Sequence, residues 1–281
     1  MEKREVIRSK HNDLYKRIKS YQGAKYRKRD NCFLAEGEKT FLMALSAHKL
    51  LHVVMSEGYY KESIRQISES DNRAPEHSRA PFYHLINGND AQKLTVLSDN
   101  LFLSVSELKT SQGILGVFEL PASSVDVSKL SRAVILEGVQ DPKNVGALIR
   151  SAHCLGYDAV FLDECCAHPF SPKVIRASMG SVFCIPVLSC ETTEALQLQI
   201  QELKDKGFFV VGTDVAGTEE IVRKEKIALL IGNEGSGLSP QSLELCDYVF
   251  RIKMASSAES LNAAVAGGIA MYLFNCDDVE L

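Results

Sequence analysis

The sequence predicts two α/β domains, the second of them built on a parallel β-sheet. The chain has 281 residues, of which 45% are hydrophobic, and this is enough for two cores of ordinary size. All-apolar runs of strand length alternate with helical patterns through the second half, as in a sheet covered by helices on both faces. A shift to Pro and Ser over residues 120–129 separates the halves. We therefore assign 1–120 to a small α/β domain, 121–130 to a linker and 131–281 to the parallel-sheet domain.

The first domain is predicted to alternate short helices and strands. Leu14, Ile18 and Tyr21 share one helical face, and Asn12 or Asp13 is placed to cap the start of that helix. Strands are predicted at residues 32–35, 50–55, 82–86 and 111–118. Helices are predicted before a break near residue 23, at 39–47, from 60 into a polar loop that ends near 79, and at 91–97.

The second domain shows a regular strand-then-helix order. Strands are predicted at residues 133–136, 159–162, 184–188, 208–212, 227–231 and 249–252. Helices are predicted at 145–155, within 169–181, at 192–206, and in a final run of small residues after 262. Asn144 is available as the N-cap of the first of these helices. The small residues of the last helix fit close packing on a neighbouring helix and a dimer interface equally well.

Charge is distributed unevenly along the chain. The net charge of −4 and the pI of about 6.0 exclude the strong positive field of a general nucleic-acid binder. Basic residues nevertheless crowd the first forty positions, with a cluster at Lys25, Arg27, Lys28 and Arg29. A locally basic segment fits a phosphate-rich partner, and a solvated helix face is the alternative.

Cysteine usage and hydropathy indicate a cytoplasmic protein. The 8 cysteines form no CxxC pair and no disulfide framework, so we expect buried, reduced thiols and no metal site. No apolar run reaches the length of a membrane span, and the charged start lacks the apolar core of a secretory signal. We expect no membrane partner.

Polar and glycine residues follow several of the predicted strands of the second domain. In parallel sheets ligands lie beyond the carboxyl ends of the strands, so these loops should converge. The glycine order at 232–237 is neither a dinucleotide fingerprint nor a phosphate loop, and the loops offer no catalytic Ser-His-Asp set and no metal ligands. A glycine-lined pocket for a small ligand remains. The residues these loops offer are Asn144, Arg150, Thr213, Asp214, Gly232, Glu234, Gly235, Gly237, Met254, Ser260 and Asn262.

Three ordered segments of the second domain resemble the SpoU (TrmH) family of RNA 2′-O-ribose methyltransferases. They read LEGVQDPKNVGALIRSA at 136–152, IGNEGSGL at 231–238 and IKMASSAESLN at 252–262. The first half more loosely resembles the ribosomal-protein-like substrate-binding domain of many members, through Asn12, Arg27, Phe33, the pair at 36–37 and residues 111–114.

This resemblance implies a deeply knotted α/β fold, a homodimer and S-adenosylmethionine as the cofactor. It also implies methylation of a ribose 2′-hydroxyl, with 23S ribosomal RNA as the favoured substrate. A tRNA substrate and a non-catalytic RNA-binding factor are the alternatives. By family correspondence, the cofactor-binding positions are Thr213, Gly232, Ile252 and Leu261, and the catalytic positions are Asn144, Arg150, Glu234, Ser260 and Asn262. Because the basic cluster at Lys25, Arg27, Lys28 and Arg29 lies in the segment that resembles the substrate-binding domain, we predict that it contacts the RNA backbone.

Each of these side chains also has a simpler structural interpretation. Arg150 would orient the ribose or its phosphate and favour the alkoxide, since a guanidinium normally stays protonated; alternatively it pairs with a surface carboxylate. Glu234 could simply accept hydrogen bonds in a turn. Ser260 and Asn262 could cap the final helix.

Overall fold

The structure is a computed structural model that describes residues 4–69, 82–88, 90–121, 124–255 and 260–275. The chain divides into two compact units, Met1–Pro121 and Ala122–Leu281. Residues 124–130, which we assigned to a linker, belong to the second unit because Val127 and Leu130 are buried in its core.

The first unit is a five-stranded sheet flanked by helices, with strand order β1-β4-β3-β5-β2. The β1, β4 and β3 strands run parallel, and β5 is antiparallel to both β3 and β2. Its described elements are β1 (Val6–Ile7), α1 (Asp13–Ser20), α2 (Ala24–Arg29), β2 (Cys32–Glu36), α3 (Glu38–Ala47), β3 (Leu50–Ser56), α4 (Glu57–Glu69), α5 (Tyr83–Asn87), a 3-10 turn (Ala91–Lys93), β4 (Leu94–Leu97), α6 (Asp99–Val105) and β5 (Ile114–Glu119).

Two predictions for the first unit are wrong. Residues 82–86 form helix α5 instead of a strand, and most of 91–97 forms strand β4 instead of a helix. Strand β4 lies between β1 and β3, where all four of its side chains are buried, so sheet pairing overrides the helical spacing of its apolar residues. The polar loop predicted beyond α4 falls largely outside the described residues.

The second unit is a six-stranded sheet of order β11-β9-β10-β6-β7-β8, and every neighbouring pair is parallel. The predicted parallel α/β fold is confirmed. Its described elements are a 3-10 turn (Val127–Lys129), β6 (Arg132–Leu136), α7 (Pro142–Cys154), β7 (Ala159–Leu162), α8 (Pro172–Ala177), a 3-10 turn (Ser181–Phe183), β8 (Val187–Ser189), α9 (Thr193–Asp205), β9 (Phe209–Thr218), β10 (Ile227–Ile231), α10 (Pro240–Leu245), β11 (Tyr248–Phe250) and α11 (Ala263–Asn275).

Helix α7 begins earlier than its apolar spacing predicted. Asp141 is the N-cap, accepting a hydrogen bond from the Lys143 N–H, and Pro142 occupies the first turn. Asn144 is therefore not the N-cap that we predicted. It lies inside the first turn, and this frees its side chain for contacts with other parts of the unit.

The cysteines are only partly as expected. All seven in the described residues are free thiols, but Cys154, Cys165 and Cys184 are exposed, so burial does not explain them as a group. Within the described ranges, no group of three or more His, Cys, Asp or Glu could hold a metal ion. Over the same ranges, no helix combines the length and the apolar character needed to cross a membrane.

Candidate active site

The strand register of the second unit brings the predicted loops to one edge of the sheet. Leu136 pairs with Ile231 at the ends of β6 and β10, and Gly212 of β9 pairs with Leu230 one residue before that end. A cavity of about 420 Å³ opens at this edge. It is lined by Thr213, Asp214, Gly232, Asn233, Glu234, Gly237, Arg251, Ile252, Ser260 and Leu261, among others.

In the glycine loop after β10, at residues 232–237, two backbone segments lie so close together that a side chain would not fit between them. A Cβ atom on Gly232 would lie 2.4 Å from the carbonyl carbon of Gly237, and Gly237 itself has a φ of +68°. Asn233 and Gly237 exchange backbone hydrogen bonds and close the loop into a tight turn. The loop thus presents main-chain groups to the cavity, as its glycine content predicted.

Asn233 organises this turn, although the sequence analysis gave it no role. Its Oδ1 accepts hydrogen bonds from the N–H groups of Gly235 and Ser236 at 2.9 and 3.0 Å and from the Ser236 hydroxyl. Its Nδ2 donates to the Gly138 carbonyl at 2.6 Å. One side chain therefore ties the glycine loop to the loop that follows β6. The preference of Asn for such turns, immediately after a buried strand, was the available signal.

Three predicted catalytic residues form one hydrogen-bonded network. Asn144 is only 6% exposed; its Nδ2 donates to Glu234 Oε1 at 2.9 Å, and its Oδ1 accepts from Asn262 Nδ2 at 3.0 Å. Asn262 Oδ1 in turn accepts from the N–H groups of Ala264 and Val265, so it also caps α11 as predicted. A carboxylate at one end and backbone N–H donors at the other fix the orientation of both amides.

Glu234 carries its negative charge at the start of α7. Its carboxylate accepts the Gln140 and Asp141 N–H groups at 3.3 Å as well as the Asn144 amide. Burial raises the pKa of Glu234, but the bonds from Asn144 and from these backbone donors outweigh it, so the pKa lies below its ordinary value. The carboxylate stays ionised and accepts three hydrogen bonds. These bonds suit a residue that holds the neighbouring loop and Asn144 in place better than one that transfers a proton.

Two buried carboxylates support the loops behind this network. Glu137 accepts bonds from the Ser239 and Ser242 hydroxyls at 2.7 and 2.9 Å and holds the start of α10. Asp163 accepts the Gly138 N–H at 3.0 Å, at a glycine whose φ is +66°. Neither carboxylate was predicted from the sequence, because a buried acid at the end of a strand has no sequence pattern of its own.

The other predicted residues of the second unit divide into two groups. Ser260, Ile252 and Leu261 line the cavity, as does Thr213, whose hydroxyl donates to the Leu230 carbonyl at 3.1 Å. Arg150 does not line it. It lies on the exposed side of α7 and, within the part of the chain that the structure describes, pairs with no carboxylate, so the surface ion pair considered above is absent.

The basic cluster of the first unit is less uniform than its sequence suggested. Lys25 and Lys28 are exposed on α2 and make no ion pair with any described residue. Arg27 donates to the Tyr21 and Gln22 carbonyls at 2.5 and 3.0 Å, which is a structural role. Arg29 pairs with Asp30 at 2.6 Å.

Comparison with known proteins accounts for both units. The model of the SpoU rRNA methylase family matches residues 131–272, and that of the MRM3-like substrate-binding domain matches residues 12–116. The chain belongs to the SpoU rRNA methylase family. The family that the three motifs predicted is confirmed, and with it an RNA methyltransferase on an α/β fold.

Full-length relatives extend this likeness. The chain is 32% identical over 269 residues to the 23S rRNA (guanosine(2553)-2′-O)-methyltransferase of Bacillus subtilis, covering 95% of this chain and 97% of the relative. Among solved structures, an AdoMet-bound rRNA methyltransferase from Sinorhizobium meliloti has a TM-score of 0.73 at 25% identity and covers 96% of each chain. A putative TrmH-family RNA methyltransferase from Porphyromonas gingivalis has a TM-score of 0.74 at 25% identity and covers 95% of this chain and 98% of its own.

Proposed function

We propose that this SpoU methylase transfers a methyl group from S-adenosylmethionine to a ribose 2′-hydroxyl of 23S ribosomal RNA. The observation that carries the proposal is the Asn144–Glu234–Asn262 network at the edge of the glycine-lined cavity. A network of this kind positions reactants, as a direct transfer between two bound molecules requires. The Bacillus subtilis relative, matched over nearly its whole length, favours the ribosomal substrate.

The cavity fits an elongated, partly apolar cofactor held by main-chain groups. Gly232 and Gly237 present main-chain groups and no side chain to the cavity, and Ile252 and Leu261 supply apolar surface. The backbone of Gly232, Ile252 and Leu261, with Thr213 beside them, would hold S-adenosylmethionine. When bound, the cofactor supplies an activated methyl group on a positively charged sulfur.

The chain's own residues orient the ribose. Asn144 and Asn262 each keep a second amide N–H beyond the bonds described, and Glu234 fixes where those donors point. Ser260 adds a hydroxyl at the same rim of the cavity. Methylation therefore depends on placing the 2′-hydroxyl in line with the methyl group, a contribution that is worth about 7–11 kcal/mol of barrier in well-ordered systems.

Arg150 completes the site from a second copy of the chain. In one copy it is exposed on α7 and does not line the cavity. We assign it to the site of the partner subunit in a homodimer, where its guanidinium would bind the ribose phosphate and stabilise the developing alkoxide. The knotted topology typical of the family and a cytoplasmic location belong to the same proposal.

Methyl transfer to unmodified ribosomal RNA tests the function directly. Purified protein, labelled S-adenosylmethionine and 23S RNA transcribed in vitro should give one ribose-methylated nucleotide, located by resistance to alkaline cleavage. Transfer RNA serves as the competing substrate. Incorporation into tRNA alone would overturn the ribosomal assignment, and cofactor binding without incorporation into either RNA would favour the non-catalytic alternative.

Mixing two inactive variants tests the shared site. If Asn144 and Arg150 act from different subunits, Asn144→Ala and Arg150→Ala chains unfolded and refolded together should recover about a quarter of wild-type activity, because half the dimers carry one intact site of two. Each variant alone should be nearly inactive in single-turnover methylation at saturating RNA. No recovery on mixing would place both residues in one subunit, and full activity of Arg150→Ala alone would exclude it from the site.

A further inference from the structure

Asp214 is a carboxylate in the cavity wall to which neither the motifs nor the comparisons assign a role. It follows Thr213 on β9 and is half-buried. One oxygen, Oδ1, accepts the Ala216 N–H at 2.8 Å. The other, Oδ2, lies 3.5 Å from the position that a Cβ on Gly237 would occupy, so it faces the glycine loop across the cavity. Among the described residues, Asp214 forms no ion pair.

Among the residues that the structure describes, the other charged side chains lining the cavity have partners of their own. Arg251 pairs with Glu219 at 3.0 Å. Glu234 accepts three hydrogen bonds at the start of α7. Asp214 therefore contributes an uncompensated negative charge to a partly enclosed site, where charge interactions are stronger than in bulk water.

We propose that Asp214 makes the site selective for a positively charged sulfur. This inference rests on the proposed function, in which S-adenosylmethionine enters with a sulfonium and S-adenosylhomocysteine leaves with a neutral thioether. The two molecules share their adenosine, ammonium and carboxylate groups and differ by one positive charge. A carboxylate in the cavity wall favours the charged donor over the neutral product, and this difference promotes product release after transfer.

Calorimetric binding of three ligands to the full-length protein tests this selectivity. S-adenosylmethionine and sinefungin, which carries a protonated amine in place of the methylated sulfur, are both positive at that position, whereas S-adenosylhomocysteine is neutral. Asp214→Asn should weaken binding of the two charged ligands about tenfold and change binding of the product by less than about twofold. Asp214→Glu, which keeps the charge, should preserve the preference. Asp205→Asn, an exposed substitution at the end of α9, is the matched control.

Equal weakening of all three ligands by Asp214→Asn would overturn the proposal, since it would show that Asp214 serves a part that they share. Unchanged binding of all three would overturn it as well. A thermal midpoint equal to that of wild type establishes that the variant is folded. Wild-type protein that binds none of the three would instead overturn the proposed function, and the inference with it.

Discussion

Side-chain amides define the site at the scale of single residues. Asn144 and Asn262 join the network around Glu234, and Asn233 shapes the loop beside it. Each amide both donates and accepts hydrogen bonds, so a single side chain can link two loops. An ionised carboxylate only accepts and an ammonium only donates, so neither could make both kinds of bond. The geometry of the cavity therefore depends on a few neutral side chains.

Replacing Asn233 should loosen the glycine loop. Asn233→Ala removes the acceptor for the Gly235 and Ser236 N–H groups and the donor to Gly138, so we expect roughly 1–3 kcal/mol less unfolding free energy and weaker binding of S-adenosylmethionine. Urea unfolding and calorimetry measure the two effects. Asn233→Asp, which keeps the acceptor but loses the donor, should retain the turn and lose only the hydrogen bond to the Gly138 carbonyl. Cofactor affinity unchanged in both variants would contradict this role for Asn233.

The sequence identified most of these residues but not their contacts. The glycines at 232–237 pointed to backbone binding because they follow a buried strand, and the structure places them around the cavity. Asn144 was predicted as a helix cap because sequence spacing did not reveal that Asp141 and Pro142 start α7 earlier. Arg27 looked like a surface cation, since its bonds to Tyr21 and Gln22 depend on how the chain turns after α1.

At the scale of secondary-structure elements, the main feature is the close packing of helices against one another. Helix α7 contacts α8 through Gly146, where an added Cβ would lie 2.4 Å from the Ala177 Cβ and 2.8 Å from the Ser178 nitrogen. The opposing atoms include backbone, which cannot rotate away as a side-chain tip can. The same helix carries Asn144 on its first turn, so its position on the sheet also sets the position of the network.

Gly146→Ala should therefore destabilise the second unit. We expect a loss of about 1–3 kcal/mol in the free energy of unfolding, measured by denaturant titration, because α7 and α8 must move apart. Gly268→Ala on α11 is the matched control, since its Cβ would approach the Ser151 hydroxyl no closer than 3.7 Å. That change should be neutral or stabilise α11 by up to about 1 kcal/mol. Equal effects of the two substitutions would contradict a packing role for Gly146.

A half-buried histidine makes the β3–β4 pair of the first unit sensitive to acid. His52 on β3 bonds to the Thr95 hydroxyl on β4 at 2.8 Å. Burial, with a smaller contribution from Arg17, lowers the pKa of His52 to about 4. The fold therefore favours the neutral ring, and this stabilisation is complete above the unfolded pKa of about 6.5 and is lost as the pH falls toward 4.

We expect wild type to lose roughly 2 kcal/mol of unfolding free energy from this group between about pH 7 and pH 5. Urea unfolding of wild type and of His52→Gln at both pH values isolates the effect, which should disappear in the variant. His11→Gln, at an exposed histidine, is the control and should keep the full dependence. A parallel pH dependence of wild type and His52→Gln would show that the ring is not held neutral.

Whether an element was predictable depended on how uniform its apolar pattern is. Strand β10 of the second unit is apolar throughout, and it was predicted with the bounds it has. Strand β4 and helix α5 were exchanged because short apolar segments fit both periodicities, and only their neighbours decide between them. Strand β9 continues six residues beyond the predicted end, through a mixed polar and apolar segment at 213–218 whose residues do not alternate.

At the scale of the whole molecule, the charges proposed to act on the cofactor and those proposed to bind RNA lie in different parts of the chain. The chain has a net charge of −4, and two acidic residues line the cavity proposed for the cofactor, whereas Lys25 and Lys28 on α2 form no ion pair with any residue that the structure describes. A weakly acidic protein can hold RNA only where positive charge is concentrated locally. We therefore propose that these two lysines, rather than all four basic residues of the cluster, contact the RNA backbone.

Neutralising the two lysines should flatten the salt dependence of RNA binding. For Lys25→Gln with Lys28→Gln, the magnitude of the slope of log affinity against log salt should fall by about 1.4–1.8, since each of the two phosphate contacts contributes roughly 0.7–0.9. Filter binding at several salt concentrations measures it. Lys49→Gln with Lys61→Gln removes two lysines already paired with Glu119 and Glu57 and serves as the control. Equal slopes for wild type and the Lys25/Lys28 variant would place the RNA elsewhere.

The neighbouring central strands of the second sheet are far apart in the sequence, so they are synthesised at different times. Arg132 at the start of β6 pairs with Ile227 at the start of β10, and β10 lies between β6 and β9. During synthesis, β6 and α7 leave the ribosome long before β10 has been made. One edge of β6 therefore stays unpaired until β10 is available. Pairing over such a distance also slows folding. The glycine loop follows β10 directly, and the proposed cofactor site is therefore among the last parts of this enzyme to take shape.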